Sequence, residues 1–196
     1  MLKPMTNWLV LLALFVATTS LAQRPLTISV FSEATTIPFT TFAPTPVHPG
    51  VQVGTEFDWC TGSHFRLYPA INVGYMFHRK LFQGLYGNVK IGLDLRTGAG
   101  IVFKSQLGLG YLHTFTTRQE YQLLDGQFVS DPDRGNARVM PSLNLGVGYL
   151  LRRGDLHSPE LFMSYESWLE FPYSPGFIPL MSHTSLHLGA KFYPSR

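Results

Sequence analysis

Apolar side chains recur at every second position over most of this chain, and a period of two is the mark of a strand with one apolar and one polar face. From Val51 to Trp59 the odd positions Val51, Val53, Thr55, Phe57 and Trp59 stand against Gln52, Gly54, Glu56 and Asp58. The runs Phe65 to His78, Leu85 to Arg96, Ile101 to Phe115, Arg138 to Arg152 and Leu161 to Phe171 keep the same parity. In the last run, Ser185 to Phe192, the parity switches: Leu186, Leu188, Ala190 and Phe192 oppose Ser185, His187, Gly189 and Lys191. A weaker run from Leu26 to Ser32 brings the expectation to eight strands.

Composition decides which eight-stranded architecture fits. Only 14% of the 196 residues are charged while 45% are hydrophobic, against about 25% charged in ordinary soluble domains. A soluble barrel or sandwich turns its polar face to water and fills it with long solvated charges. Here that face is rich in glycine (Gly54, Gly74, Gly92, Gly108, Gly110, Gly146, Gly148, Gly189), which suits a narrow, crowded interior. The apolar face has aliphatics in its middle and aromatics toward its ends, as lipid tails and their interfaces select. The expected fold is therefore all-β: an eight-stranded antiparallel up-and-down transmembrane β-barrel.

Residues Met1 to Ala22 read as a cleaved signal peptide. Lys3 gives the positive start, Trp8 to Ala17 the apolar stretch and Ser20-Leu21-Ala22 the small-x-small site before Gln23; the apolar run is too short to span a bilayer as a helix. The barrel domain is expected over residues 23–196. Connections are expected at 33–46, 60–64, 79–84, 97–100, 117–137, 153–158 and 172–182. Three of the four odd-numbered ones are long and every even one is short, which places the termini in the periplasm and the long loops outside.

The final strand, Leu186-His-Leu-Gly-Ala-Lys-Phe192-Tyr193, resembles the terminal signal of small bacterial outer-membrane β-barrel proteins, although the chain continues through Pro194-Ser195-Arg196. The resemblance covers the whole chain after the signal peptide as a pattern. It implies location in the bacterial outer membrane, contact with outer-membrane lipids including lipopolysaccharide, and long loops open to a protein or ligand partner.

Net charge is +3 with basic residues scattered, so no nucleic-acid surface is expected. Cys60 is the single cysteine and has no disulfide or cluster partner. The polar-face charges Glu56, Asp58, Arg66, Lys90, Asp94, Arg96, Lys104, Arg138, Arg152, Glu160, Glu166, Glu170 and Lys191 are expected to pair inside a lumen only wide enough for side chains. That predicts a structural or binding barrel without an open pore and without a cofactor. No metal site is expected: His48, His64, His78, His113 and His157 fall on different segments, and His183 and His187 would stand about 13 Å apart along one strand. The proline-rich stretches around Ile37 to Pro49 and Pro172 to Pro179 read as rigid apolar loops, either binding a partner or folding over the barrel mouth.

One catalytic alternative is present. His183-Thr-Ser185 resembles the His-x-Ser motif of the outer-membrane lipid A deacylases, which are small eight-stranded barrels with a serine-hydrolase site. Folding the seventh strand on the eighth brings Glu170 opposite His183, so the resemblance implies Ser185 as nucleophile, His183 as base and Glu170 as the acid that orients it. In that family the site faces lipid. Strand parity here turns His183, Ser185 and Glu170 into the lumen.

Overall fold

The computed structural model describes residues 24–194 apart from 41, 43, 44, 79–81, 118, 119, 125, 132, 133, 154, 156, 175 and 176. The expected signal peptide and its cleavage point before Gln23 lie outside the described residues. Eight strands form the barrel wall: β1 (Leu26–Ala34), β2 (Pro49–Glu56), β3 (Phe65–Phe77), β4 (Phe82–Arg96), β5 (Ile101–Thr116), β6 (Asn136–Leu150), β7 (Glu160–Glu170) and β8 (Met181–Phe192). Each pairs antiparallel with its neighbours in sequence, and β8 returns to pair with β1, which closes the barrel. Closure removes the unpaired edges that an open sheet would expose. Leu26 faces Phe192 across the seam, so the first and last strands begin and end at the same end of the barrel. The opposite end, called here the loop end, carries the connections after β1, β3, β5 and β7.

Alternation sets which residues face out. Val30, Val53, Val73, Val89, Leu107, Leu109, Val147, Met163 and Leu188 are 45–66% exposed, and they form a belt around the middle of the wall. Aromatics flank it: Tyr75, Phe77, Tyr111, Phe115 and Phe171 toward the loop end, Trp59, Phe65, Phe103 and Tyr149 toward the other. From Phe65 to Tyr75 a strand rising about 3.3 Å per residue and tilted 35–45° climbs about 25 Å, the height of the apolar band of an outer-membrane barrel. An exterior of this kind is covered by lipid, since water would meet an uninterrupted apolar surface.

The lumen holds the inverse set, in two tiers. Toward the terminal end, Arg66 pairs with Glu56 and Asp58, while Lys104 lies 3.2 Å from Asp94 and 2.8 Å from Glu160. Lys191 joins the same cluster, 2.7 Å from Glu160. At mid-barrel Lys90 Nζ lies 2.6 Å from Glu166 Oε1, and Glu166 Oε2 lies 3.3 Å from His187 Nε2. Above these pairs Phe31, Met76, Phe82, Tyr86, Leu112, Met140 and Trp168 form an apolar plug. The plug goes beyond the expected ion-pair filling. Two of its aromatic rings fit because lumen glycines lie against them: a Cβ at Gly74 would stand 2.3 Å from the Tyr86 ring, and one at Gly50 2.2 Å from that of Phe31. A lumen cavity bounded by Gln52, Asn72, Gln106 and His187 measures about 30 Å³, room for no more than a few waters.

Several expected boundaries shift. Strand β2 stops at Glu56 rather than Trp59 because it faces Pro69, which has no N–H to return to the ladder. Phe57 N donates to Pro69 O at 2.8 Å and Trp59 N to Leu67 O at 3.2 Å before ladder pairing resumes at Cys60–Thr61. Asp58 therefore sits at the rim, 52% exposed, and Arg152 lies exposed beyond the end of β6. Strand β4 begins at Phe82 rather than Leu85, and β8 at Met181 rather than Ser185. Within the connection expected at 117–137, Glu120–Leu124 pairs with Gln127–Asp131 as a two-stranded hairpin.

Candidate functional site

The loop end of the lumen gathers residues from four strands and from two positions that directly flank strands. Glu33 closes β1 and is 1% exposed. His48 precedes β2, His78 follows β3, Arg138 and Glu170 stand on β6 and β7, and His183 lies on β8. Each is held by a strand end, so the group is positioned by barrel register rather than by loop conformation.

His183 is at its centre. Its Nδ1 lies 2.8 Å from Glu33 Oε1 and its Nε2 3.1 Å from Glu170 Oε2. Thr35 Oγ1 stands 3.3 Å from the same Nδ1. The ring stacks on Trp168 at 4.0 Å between centroids and 8° between planes. Beyond it Arg138 Nε lies 3.2 Å from Glu170 Oε1, and Arg138 also donates to the Pro172 and Tyr173 carbonyls. The line Glu33, His183, Glu170, Arg138 thus alternates acid and base across the mouth. Each carboxylate has a cationic or N–H partner, as buried charge requires.

The three residues singled out for hydrolysis are brought to one face. His183 reaches Glu170, but the register differs from the expectation by two residues: Trp168 faces His183 and Glu170 faces Met181. The Ser185 hydroxyl accepts a hydrogen bond from Trp168 Nε1 at 3.2 Å. Both imidazole nitrogens of His183 face carboxylate oxygens, an arrangement in which both donate only as imidazolium. A general base for Ser185 needs a lone pair on one of them.

On the other side of Glu33 the structure joins two histidines that no spacing in the sequence relates. The His48 and His78 rings lie 3.6 Å apart between centroids. His48 Nδ1 is 3.1 Å from the Glu33 backbone carbonyl and 3.9 Å from Glu33 Oε2. Burial, and next the neighbouring His48 ring, push the His78 imidazole below its usual range, so that ring is neutral at pH 7. Of the remaining histidines, His64 and His157 are exposed, His113 faces outward beside Tyr111, and His187 belongs to the mid-barrel pair.

The first loop folds against the outer wall. Phe39 N donates to Tyr165 Oη at 2.9 Å, and the Phe39 and Phe42 rings pack on Tyr165 at 5.3 and 5.4 Å. Phe39 takes φ +64° to do so, a left-handed conformation that costs a non-glycine residue on the order of 1–3 kcal/mol unless its contacts hold it. Below Phe42 an apolar groove of about 640 Å³ runs over Phe103, Leu145, Val147 and Met163 on the lipid-facing side.

No protein-family model matches the chain, and no curated protein matches it in sequence. Among solved structures, the attachment invasion locus protein Ail of Yersinia pestis superposes with a TM-score of 0.51 at 12% identity, covering 88% of this chain and 97% of that one. Neisserial surface protein A superposes with a TM-score of 0.50 at 7% identity, covering 86% and 94%. The outer-membrane enzyme PagL is matched at 13% identity over 86% of this chain and 98% of that one, but its TM-score of 0.48 is too low to bear on activity. Strand number, closure, inverted polarity and these two superpositions agree: the chain has the fold of the small bacterial outer-membrane β-barrels.

Proposed function

We propose that the protein is an integral barrel of the bacterial outer membrane, exported by its signal peptide. It is sealed along its lumen and acts through its outer loops or by stabilising the membrane, without catalysis. The observation that carries this reading is the inversion of the barrel: an apolar belt outside, and inside it paired charges and an apolar plug, with a mid-lumen cavity of about 30 Å³ beside the charges. Outer-membrane lipids including lipopolysaccharide are the molecules its wall meets. Phe39 and Phe42 are held on the wall beside Tyr165, which leaves the rest of the loop end open to a ligand or protein partner.

The lipid A deacylase reading rests on one observation, the 3.1 Å contact between His183 and Glu170. Against it stand the second carboxylate on His183 and the burial of Ser185, 2% exposed, inside the lumen. One experiment separates the two readings. Outer membranes isolated from cells with and without the protein are expected to contain it in the expressing cells and to yield identical lipid A masses, whether Ser185 is intact or replaced in Ser185→Ala. Loss of an acyl chain that requires Ser185 would establish the hydrolase, and recovery of the protein in the soluble periplasm would refute both.

A further inference from the structure

We propose that Glu33, His48 and His78 bind a divalent first-row transition-metal ion, Zn²⁺ before others, at the loop end of the lumen. Each offers one ligand atom, and the three atoms lie within 4.8 Å of one another. Zinc bonds to imidazole nitrogen and carboxylate oxygen are about 2.0–2.2 Å, which puts tetrahedral ligand atoms about 3.4 Å apart. Side-chain rotations that close the widest gap by roughly 1.4 Å complete the site.

The donor set and its surroundings favour such an ion over Ca²⁺ or Mg²⁺. Two imidazoles and one carboxylate are borderline-soft ligands suited to zinc and its neighbours, whereas calcium and magnesium take oxygen. His48 Nδ1 stands 3.1 Å from the Glu33 carbonyl oxygen. That oxygen can only accept, so Nδ1 carries the proton and the lone pair lies on Nε2. A ring whose other N–H is fixed by a backbone carbonyl is the usual outer-shell arrangement of a metal-bound histidine. Glu33 is held as well: His183 Nδ1 and the Thr35 hydroxyl fix Oε1, at 2.8 and 3.4 Å, while Oε2 lies 3.9 Å from His48 Nδ1 and is the oxygen offered to the ion. Two imidazole rings packed at 3.6 Å beside a buried carboxylate are also the disposition that a shared cation stabilises.

Three protein ligands leave a fourth position for water or a ligand atom from outside, and the His48 side chain, 14% exposed, marks the side from which it is reached. The ion ties the end of the first loop to β1 and β3, and it does so whether or not the loops bind a partner.

The test uses the refolded mature chain in detergent, stripped with chelator and titrated with Co²⁺ alone. One equivalent is expected to give the intense visible absorption of a low-coordinate site, bleached by one equivalent of Zn²⁺. His48→Gln and His78→Gln are each expected to weaken binding by at least about 100-fold, while His64→Gln, at an exposed histidine, leaves it unchanged. Heat-modified gel mobility checks that each variant is folded. If His78→Gln does not fold, the wild type and His48→Gln decide. Absence of a stoichiometric Co²⁺ spectrum in the folded wild type, or an unaltered spectrum in His48→Gln, overturns the proposal.

Discussion

Replacing Lys90 by methionine is expected to destabilise the barrel by about 3–5 kcal/mol, the penalty for stranding one member of a buried ion pair. Lys90 and Glu166 are each 1% exposed and lie 2.6 Å apart at mid-lumen. Without the ammonium the Glu166 carboxylate keeps, among the described residues, the ion-pair contact with His187 at 3.3 Å. Burial favours the neutral form of that imidazole and the negative charge favours the protonated form, so His187 is a poor substitute for a permanent cation. The double variant Lys90→Met with Glu166→Leu removes both charges and is expected to recover most of the loss, because a well-packed apolar pair of similar volume is often as stable as the ions it replaces. Urea unfolding in lipid vesicles, followed by tryptophan fluorescence, measures both. A single variant within about 1 kcal/mol of wild type would mean that water reaches Lys90 and the lumen is not sealed there.

The second large effect is expected on the outer wall. Leu107 lies midway along β5, 66% exposed, level with Ile91 and Leu143 on the neighbouring strands. In a water-soluble barrel Leu107→Lys would change stability by no more than about 0.5 kcal/mol. At the midplane of a bilayer the same substitution costs about 2–4 kcal/mol, falling toward zero at the interfaces. Lysine scanned along β5, from Phe103 through Leu107 to Tyr111, should therefore give a maximum at its centre. A flat profile would show that water, not lipid, covers this face.

Much of this organisation was legible in the chain because alternation reports faces directly. The parity of Lys90, Lys104, Glu160, Glu166 and Lys191 places all of them inward, where the structure has them. Parity does not say which charges meet. Lys104 contacts Glu160 from 56 positions away, and that pairing depends on the register of β5, β6 and β7 across two hairpins. The start of β8 is hidden in the sequence for a related reason. His183, Thr184 and Ser185 are all buried: two face the lumen, and Thr184, flanked by Ser182 whose hydroxyl bonds to Thr36 O, lacks the apolar contrast that marks a lipid-facing position. The plug could be read only in part. Phe31, Tyr86 and Trp168 stand at inward positions of the pattern, but aromatic residues there gave no sign that they would meet one another.

The cluster of Glu33, His48 and His78 was the least accessible. Glu33 and His48 bracket the first loop, and His78 closes a strand two hairpins along the chain. None of them belongs to a spacing that suggests a shared ion. Pairing of β1 with β2 and of β2 with β3 brings their loop ends side by side, and only that adjacency makes the three a group. The His183, Ser185 and Glu170 trio was the converse case: a short motif on adjacent strands was visible, but Glu33 as a second acid on His183 arrives from β1, across the closing seam.

The sealed, membrane-embedded barrel is tested most directly by single-channel recording of the purified, folded protein in a planar lipid bilayer. The paired charges at mid-lumen and the apolar plug above them predict insertion without steady unitary current, at either polarity. Large, stable conductance steps that disappear when the protein is unfolded before addition would contradict the account, because they require a continuous water column where the structure places Lys90, Glu166, Tyr86 and Trp168.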